Sequence, residues 1–182
     1  MIAILGLLVS LRNSVSRLIG RFTERNDWQP DFPSFDTKDQ YLNYMRDFCE
    51  NHYHWTSDPV YGLLDNVQSI KHMNWQLKKK GIIEGDCDDL ATYSCYFALK
   101  LFAYKTYRIN IISERHVIGV IELRETQDSP SKYYWVSNHQ VDTEAYNTLE
   151  ECIKAFTEND KAMLFIEKLV LKDSAYDRIA VA

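Results

Sequence analysis

Apolar positions along this chain recur with two different periods, and the switch between them orders the elements. After Gly85, the residues Leu90, Ala91, Ser94, Phe97, Ala98 and Leu101 share one helical face, so the spacing predicts a helix entered at Gly85 and capped by Asp86. Downstream, Tyr107-Arg108-Ile109-Asn110-Ile111-Ile112 alternates like a strand. The run from Val117 to Leu123, headed by Arg115-His116, reads as a second strand, and Tyr133-Tyr134-Trp135-Val136 as a third, ending at Ser137-Asn138. Earlier in the chain, Asp36 or Thr37 caps a helix from Lys38 to His52 with Tyr41, Met45, Phe48 and Cys49 on one face. A turn at Asp58-Pro59 leads into a second helix with Leu63, Val67, Ile70 and Leu77 inward, ending at Gly81. Thr148-Leu149-Glu150-Glu151 has capping-box spacing for a short helix bearing Leu149, Ile153 and Phe156, and Ala162 to Leu171 reads as a last strand. The expected fold class is α+β.

The N-terminus carries a third pattern. Met1 to Val9 is apolar, but it lacks a basic lead and a small-residue cleavage site, and it is too short to span a bilayer. Ile4, Leu8, Leu11, Val15, Leu18 and Phe22 form a heptad-like seam. Residues 1–22 therefore read as an amphipathic helix that packs on its own domain, self-associates, docks to a larger assembly, or lies peripherally on a membrane. Residues 23–37 read as a linker interrupted by Pro30 and Pro33, 38–172 as the main domain and 173–182 as a tail.

Composition narrows the function classes. The chain has 182 residues, 46% of them hydrophobic and 13% aromatic, enough for one core. A net charge of −5 and a pI near 5.5 argue against a broad basic surface for nucleic acid. Cys49, Cys87, Cys95 and Cys152 contain no CxxC pair and suit free thiols in a reducing, cytoplasmic setting or a phage or bacterial assembly. No phosphate loop, internal repeat or low-complexity tract is present, and no cofactor is implied.

Cys87 differs from the other cysteines in its neighbours. It opens the predicted helix inside Gly85-Asp86-Cys87-Asp88-Asp89, where unpaired amides and the helix dipole favour a thiolate while three carboxylates oppose it. A base has to supply the remaining activation, and His116, at the head of the second strand, is the candidate. A residue at the end of the third strand would complete a convergent triad at one sheet edge.

These residues resemble the transglutaminase-like, papain-related superfamily, and within it the bacterial transglutaminase-like cysteine peptidases, over roughly Tyr53 to Asp142. The resemblance implies a papain-like core with the nucleophile at a helix N-terminus packed on an antiparallel sheet. It implies Cys87 as nucleophile, His116 as general base and Asn138 as the orienting third residue, with Ser137 one place before and Asp142 four after. Family members most often have Asp at that position. The family's upstream oxyanion donor corresponds to Trp75 or Gln76. Some relatives bind calcium through the acids of the same motif, which here means Asp86 and Asp88, too few to make a metal site alone. Cys49, His52 and His54 are likewise a weak zinc pattern.

The implied activity is thiol-dependent acyl transfer on a peptide or glutamine amide through a thioester, as a cysteine peptidase or amidase. The competing reading is a catalytically inactive module of the same fold, serving a bacterial or phage particle through residues 1–22.

Overall fold

The computed structural model describes residues 29–56, 67–126, 128–157, 163–172 and 175–181. The heptad seam of residues 1–22, the start of the linker and the Asp58-Pro59 turn with Leu63 lie outside them. Helix α1 spans Lys38–His52, with the Thr37 hydroxyl accepting from the Gln40 amide, and buries Tyr41, Leu42, Met45, Phe48 and Cys49. The expected face and cap are both present. Strand β1, Tyr53–Trp55, pairs in parallel with β2, Ile83–Gly85. Between them lies α2, Ile70–Lys80, capped by Ser69 and closed by Gly81 at φ 74°.

Helix α3 spans Cys87–Leu101 and feeds β3 (Lys105–Ile111), β4 (His116–Leu123), β5 (Lys132–Ser137) and β6 (Gln140–Val141). Helix α4 (Leu149–Thr157), β7 (Leu164–Lys172) and β8 (Ala175–Val181) follow. The last six strands form one antiparallel sheet in the order β6-β5-β4-β3-β7-β8. The molecule is thus a mixed α+β fold with helices on both sheet faces.

Strand alternation divides the core in two. Ile121 and Leu123 of β4 and Tyr134 and Val136 of β5 face α3 and α1, in the larger cluster with Tyr41, Met45, Phe48, Tyr93 and Phe97. The Phe48 and Phe97 rings stack at 4.2 Å, and burying each such ring contributes roughly 1.5–3 kcal/mol. Ile109, Ile111, Ile118 and Val120 point the other way, under Cys152 and Ile153 of α4. Gly119 lets α3 approach β4, because a Cβ there would stand 3.1 Å from Cys95 Sγ and 3.4 Å from the Ala91 carbonyl.

Three sequence expectations need correcting. Helix α2 starts at Ile70, not upstream, since Ser69 caps it and Gln68 turns aside to bind Asp89. The stretch expected as a tail supplies β8, paired with β7 from Lys172↔Ala175 to Ile166↔Val181. Gly85 lies in extended strand β2; it is required because a Cβ there would stand 2.7 Å from Asp89 Cβ and Oδ2.

Candidate active site

The site begins where β2 hands over to α3. Asp86 caps the helix, its carboxylate accepting from the Asp88 amide at 3.1 Å. That bond fixes the first turn, so the half-buried Cys87 side chain projects at the helix start. The backbone N–H of Val117, the residue after His116, favours the thiolate, against the burial and carboxylates that disfavour it. Helix α3 packs on β4, with Gly119 of β4 against Ala91 and Cys95. No hydrogen bond joins the Cys87 thiol to the His116 ring.

His116 is held from two sides. Its Nε2 lies 2.8 Å from Ser137 Oγ at the end of β5, and its ring stacks on Phe156 of α4, with centroids 5.7 Å apart and planes 12° apart. Trp135 meets Phe156 edge-on at 5.1 Å. The Ser137 contact is diagonal across the β4–β5 ladder, on the face that β4 shows to α4. Asn138, the expected third residue, instead occupies the turn at φ 50°, and its buried Oδ1 has no hydrogen-bond partner. Asp142 Oδ1 accepts from the Glu144 amide. Ser137, not Asn138, is placed against the imidazole, and a hydroxyl orients a ring without offsetting its charge.

The electrostatics favour neutral forms. Burial pushes the Cys87 thiol up to about 12, Asp86 and Asp88 add to this, and the Val117 N–H and Arg108 oppose it. The helix dipole favours a thiolate, but desolvation and two carboxylates outweigh it. Burial lowers the His116 pKa, with Glu114 pulling weakly the other way. The two shifts favour a protonated thiol at Cys87 and an uncharged imidazole at His116.

The remaining acids of the motif are committed to protein partners. Asp88 Oδ2 accepts from Arg108 at 3.0 Å. Asp89 takes the Gln68 amide at 2.6 Å on Oδ1 and the Gln68 side chain at 2.5 Å on Oδ2. Burial, with Asp88 next, still raises the Asp89 pKa well above the usual carboxylate range. The Asp86, Asp88 and Asp89 oxygens lie within 4.8 Å of one another, but each of the three carboxylates already accepts from a protein donor.

Gln76 ties α2 to β2 by donating to Gln68 and accepting from the Glu84 amide. Trp75 stacks on His72 and is exposed rather than packed in the core. Neither points to an oxyanion role. His52 Nδ1 lies 2.6 Å from the Gly81 carbonyl, and Cys49 is fully buried in the larger core. All four cysteines are free thiols, and among the described residues no helix is long and apolar enough to cross a membrane.

Sequence reasoning missed Arg108 and Glu167. The available signal was a charge inside an apolar strand, Tyr107-Arg108-Ile109, which a sheet buried on both faces can hold only if it is paired. Searches against family models, curated proteins and solved structures returned no match to this chain.

Proposed function

We propose that this chain is a thiol-dependent acyl-transfer enzyme with a transglutaminase-like, papain-related core, a cysteine peptidase or amidase acting on a peptide or glutamine amide. The observation that carries this reading is the placement of Cys87 at the N-terminus of α3, the helix packed on β4, whose first residue is the Ser137-bound His116. Catalytic hydrogen bonds in substrate-free sites are often long and tighten on binding, so the missing thiol–imidazole bond is compatible with it.

In this reading neutral His116 takes the thiol proton as Sγ attacks the carbonyl carbon. The oxyanion forms at the first turn of α3, where the Cys87 N–H is available to it. The imidazolium then protonates the departing amine as the C–N bond breaks, leaving a thioester. Water, deprotonated by His116, cleaves the thioester and returns the thiol; an amine in place of water gives transamidation. With Ser137 as partner, the imidazolium lacks a carboxylate.

p-Nitrophenyl acetate is a simple test. Acetyl-Cys87, located by peptide mass spectrometry, should form and then decay, with formation slowed about 100-fold in His116→Ala. Equal acylation in both proteins would remove His116 from the mechanism and overturn the Cys-His reading.

The hydroxyl partner and the protonated thiol favour a second reading, a catalytically silent module that docks through residues 1–22 to a second copy or a larger bacterial or phage assembly. Deleting residues 1–22 should then abolish association in size-exclusion chromatography while leaving the melting temperature unchanged.

A further inference from the structure

The six-stranded sheet ends differently on its two sides. At one edge β6 is only two residues long, whereas at the other β8 runs for seven, Ala175–Val181. The β7–β8 ladder is unbroken from Lys172↔Ala175 to Ile166↔Val181, with no bulge to twist the edge away. Among the described residues no strand pairs with the outer side of β8. Its sequence, Ala175-Tyr176-Asp177-Arg178-Ile179-Ala180-Val181, has neither the proline nor the lysine that commonly blunts an open edge. Helix α4 packs on β5 and β4, and Ile179 on β8 is left 54% exposed.

We propose that the outer edge of β8 is an interface for a second copy of this chain, whose own β8 adds antiparallel to it and joins the two sheets into one.

Length selects the partner. An unpaired row of backbone N–H and C=O groups calls for a strand of matching extent. The sheet's other edge offers two residues in β6, and the separate ladder offers three in β1 and three in β2. Of the described strands, only another β8 matches. The same strand on both sides makes the contact isologous, so it closes as a dimer instead of growing into a fibre.

Symmetry and charge then choose the register. A two-fold axis normal to the sheet keeps the same face up in both copies, so one residue of β8 stands opposite itself. Centring on Asp177 or Arg178 would oppose like charges, which destabilises a cross-strand pair. Centring on Ile179 sets isoleucine against isoleucine, with Arg178 opposite the partner's Ala180 and Asp177 opposite the partner's Val181. That register covers the apolar side chain that the single chain leaves exposed. Strands β4 and β5, which carry His116 and Ser137, lie beyond β7 and β3 from the joint. The interface therefore depends neither on the acyl-transfer reading nor on residues 1–22.

The test is sedimentation velocity of the full chain across a wide concentration range, for the native protein and Ile179→Lys, with thermal melts alongside. The native chain should pass from monomer to dimer as concentration rises. Ile179→Lys sets two ammonium groups face to face at an exposed position; it should melt as the native chain does and weaken association by at least about tenfold. Ile179→Cys, treated with oxidised glutathione, should give a dimer bridged at that position in peptide mass spectrometry, because directly opposed Cβ atoms stand about 4.5–5.5 Å apart. A native chain that stays monomeric throughout overturns the proposal and leaves the edge to a strand of another protein. A dimer that Ile179→Lys leaves intact overturns it too, and moves the contact to residues 1–22 or another surface. An oxidised Ile179→Cys dimer without that bridge overturns the antiparallel pairing of β8 with itself.

Discussion

His116 Nε2 and Ser137 Oγ are 2.8 Å apart, joining the head of β4 to the end of β5 on one sheet face. A hydroxyl there fixes the ring but does not stabilise its cation. Ser137→Asp should raise the His116 pKa by roughly one unit, seen in an NMR titration of the ring, and speed acetylation of Cys87. Ser137→Ala should loosen the ring and slow it. An unchanged titration in Ser137→Asp would show that the new carboxylate does not reach the imidazole.

Glycine at two positions is a matter of space. Gly119→Ala would push a methyl to 3.1 Å from Cys95 Sγ and 3.4 Å from the Ala91 carbonyl, an overpacking that should cost about 1–3 kcal/mol. Gly85→Ala would meet Asp89 Cβ at 2.7 Å and should cost more, because Gln68 holds that carboxyl in place. Chemical denaturation of both variants gives the ranking, and Cys95→Ala should recover part of the Gly119→Ala loss without affecting Gly85→Ala.

Asp86 has two roles with opposite consequences for reactivity and stability. Its carboxylate caps α3 and its charge helps keep the Cys87 thiol protonated. Asp86→Ser should keep the cap, hold stability within about 1 kcal/mol and move Cys87 alkylation to lower pH. Asp86→Ala should show the same shift in labelling together with a loss of about 1 kcal/mol. If neither variant shifts labelling, the charge of Asp86 is not felt at the sulfur.

Burial lowers the pKa of both His116 and His72, opposed at His116 by Glu114 and reinforced at His72 by Lys80. The unfolded chain therefore binds protons that the folded chain refuses, over the window from the ordinary value of 6.5 down to each folded value. Stability should fall as pH drops through that window. The slope of melting temperature against pH between about 7 and 5 should be shallower in His116→Gln; an unaltered slope would assign the acid sensitivity elsewhere.

Periodicity made the elements that face a core legible. Tyr41, Met45 and Phe48 placed α1, and Leu90, Phe97 and Ala98 placed α3, since a buried helical face leaves a 3.6-residue imprint. Short ladders do not: β1, β2 and β6 are two or three residues long, too short for alternation to register. β8 was missed because it is an edge strand whose pairing is set by β7 rather than by its own sequence. At the candidate site, the placement of Cys87 at a helix start and of His116 at a strand head could be read from their neighbours. The third partner could not, because choosing Ser137 over Asn138 depends on which residue falls on His116's side of the pleat and which enters the turn at φ 50°. Arg108 and Glu167 meet across a separation of 59 residues, beyond any local pattern.

That separation bears on the order in which the molecule becomes itself during synthesis. Asp88 and Asn110 leave the ribosome before Glu167, so a growing chain can assemble α3 on β3, β4 and β5 while Arg108 has only the first of its two carboxylates. The buried guanidinium would then wait for its second acid. Pairing of β7 with β3 would be the step that completes the ion pair, and such long-range pairing forms slowly because loop closure must precede it. A half-made chain would hold a buried charge only half compensated until its last strands arrive.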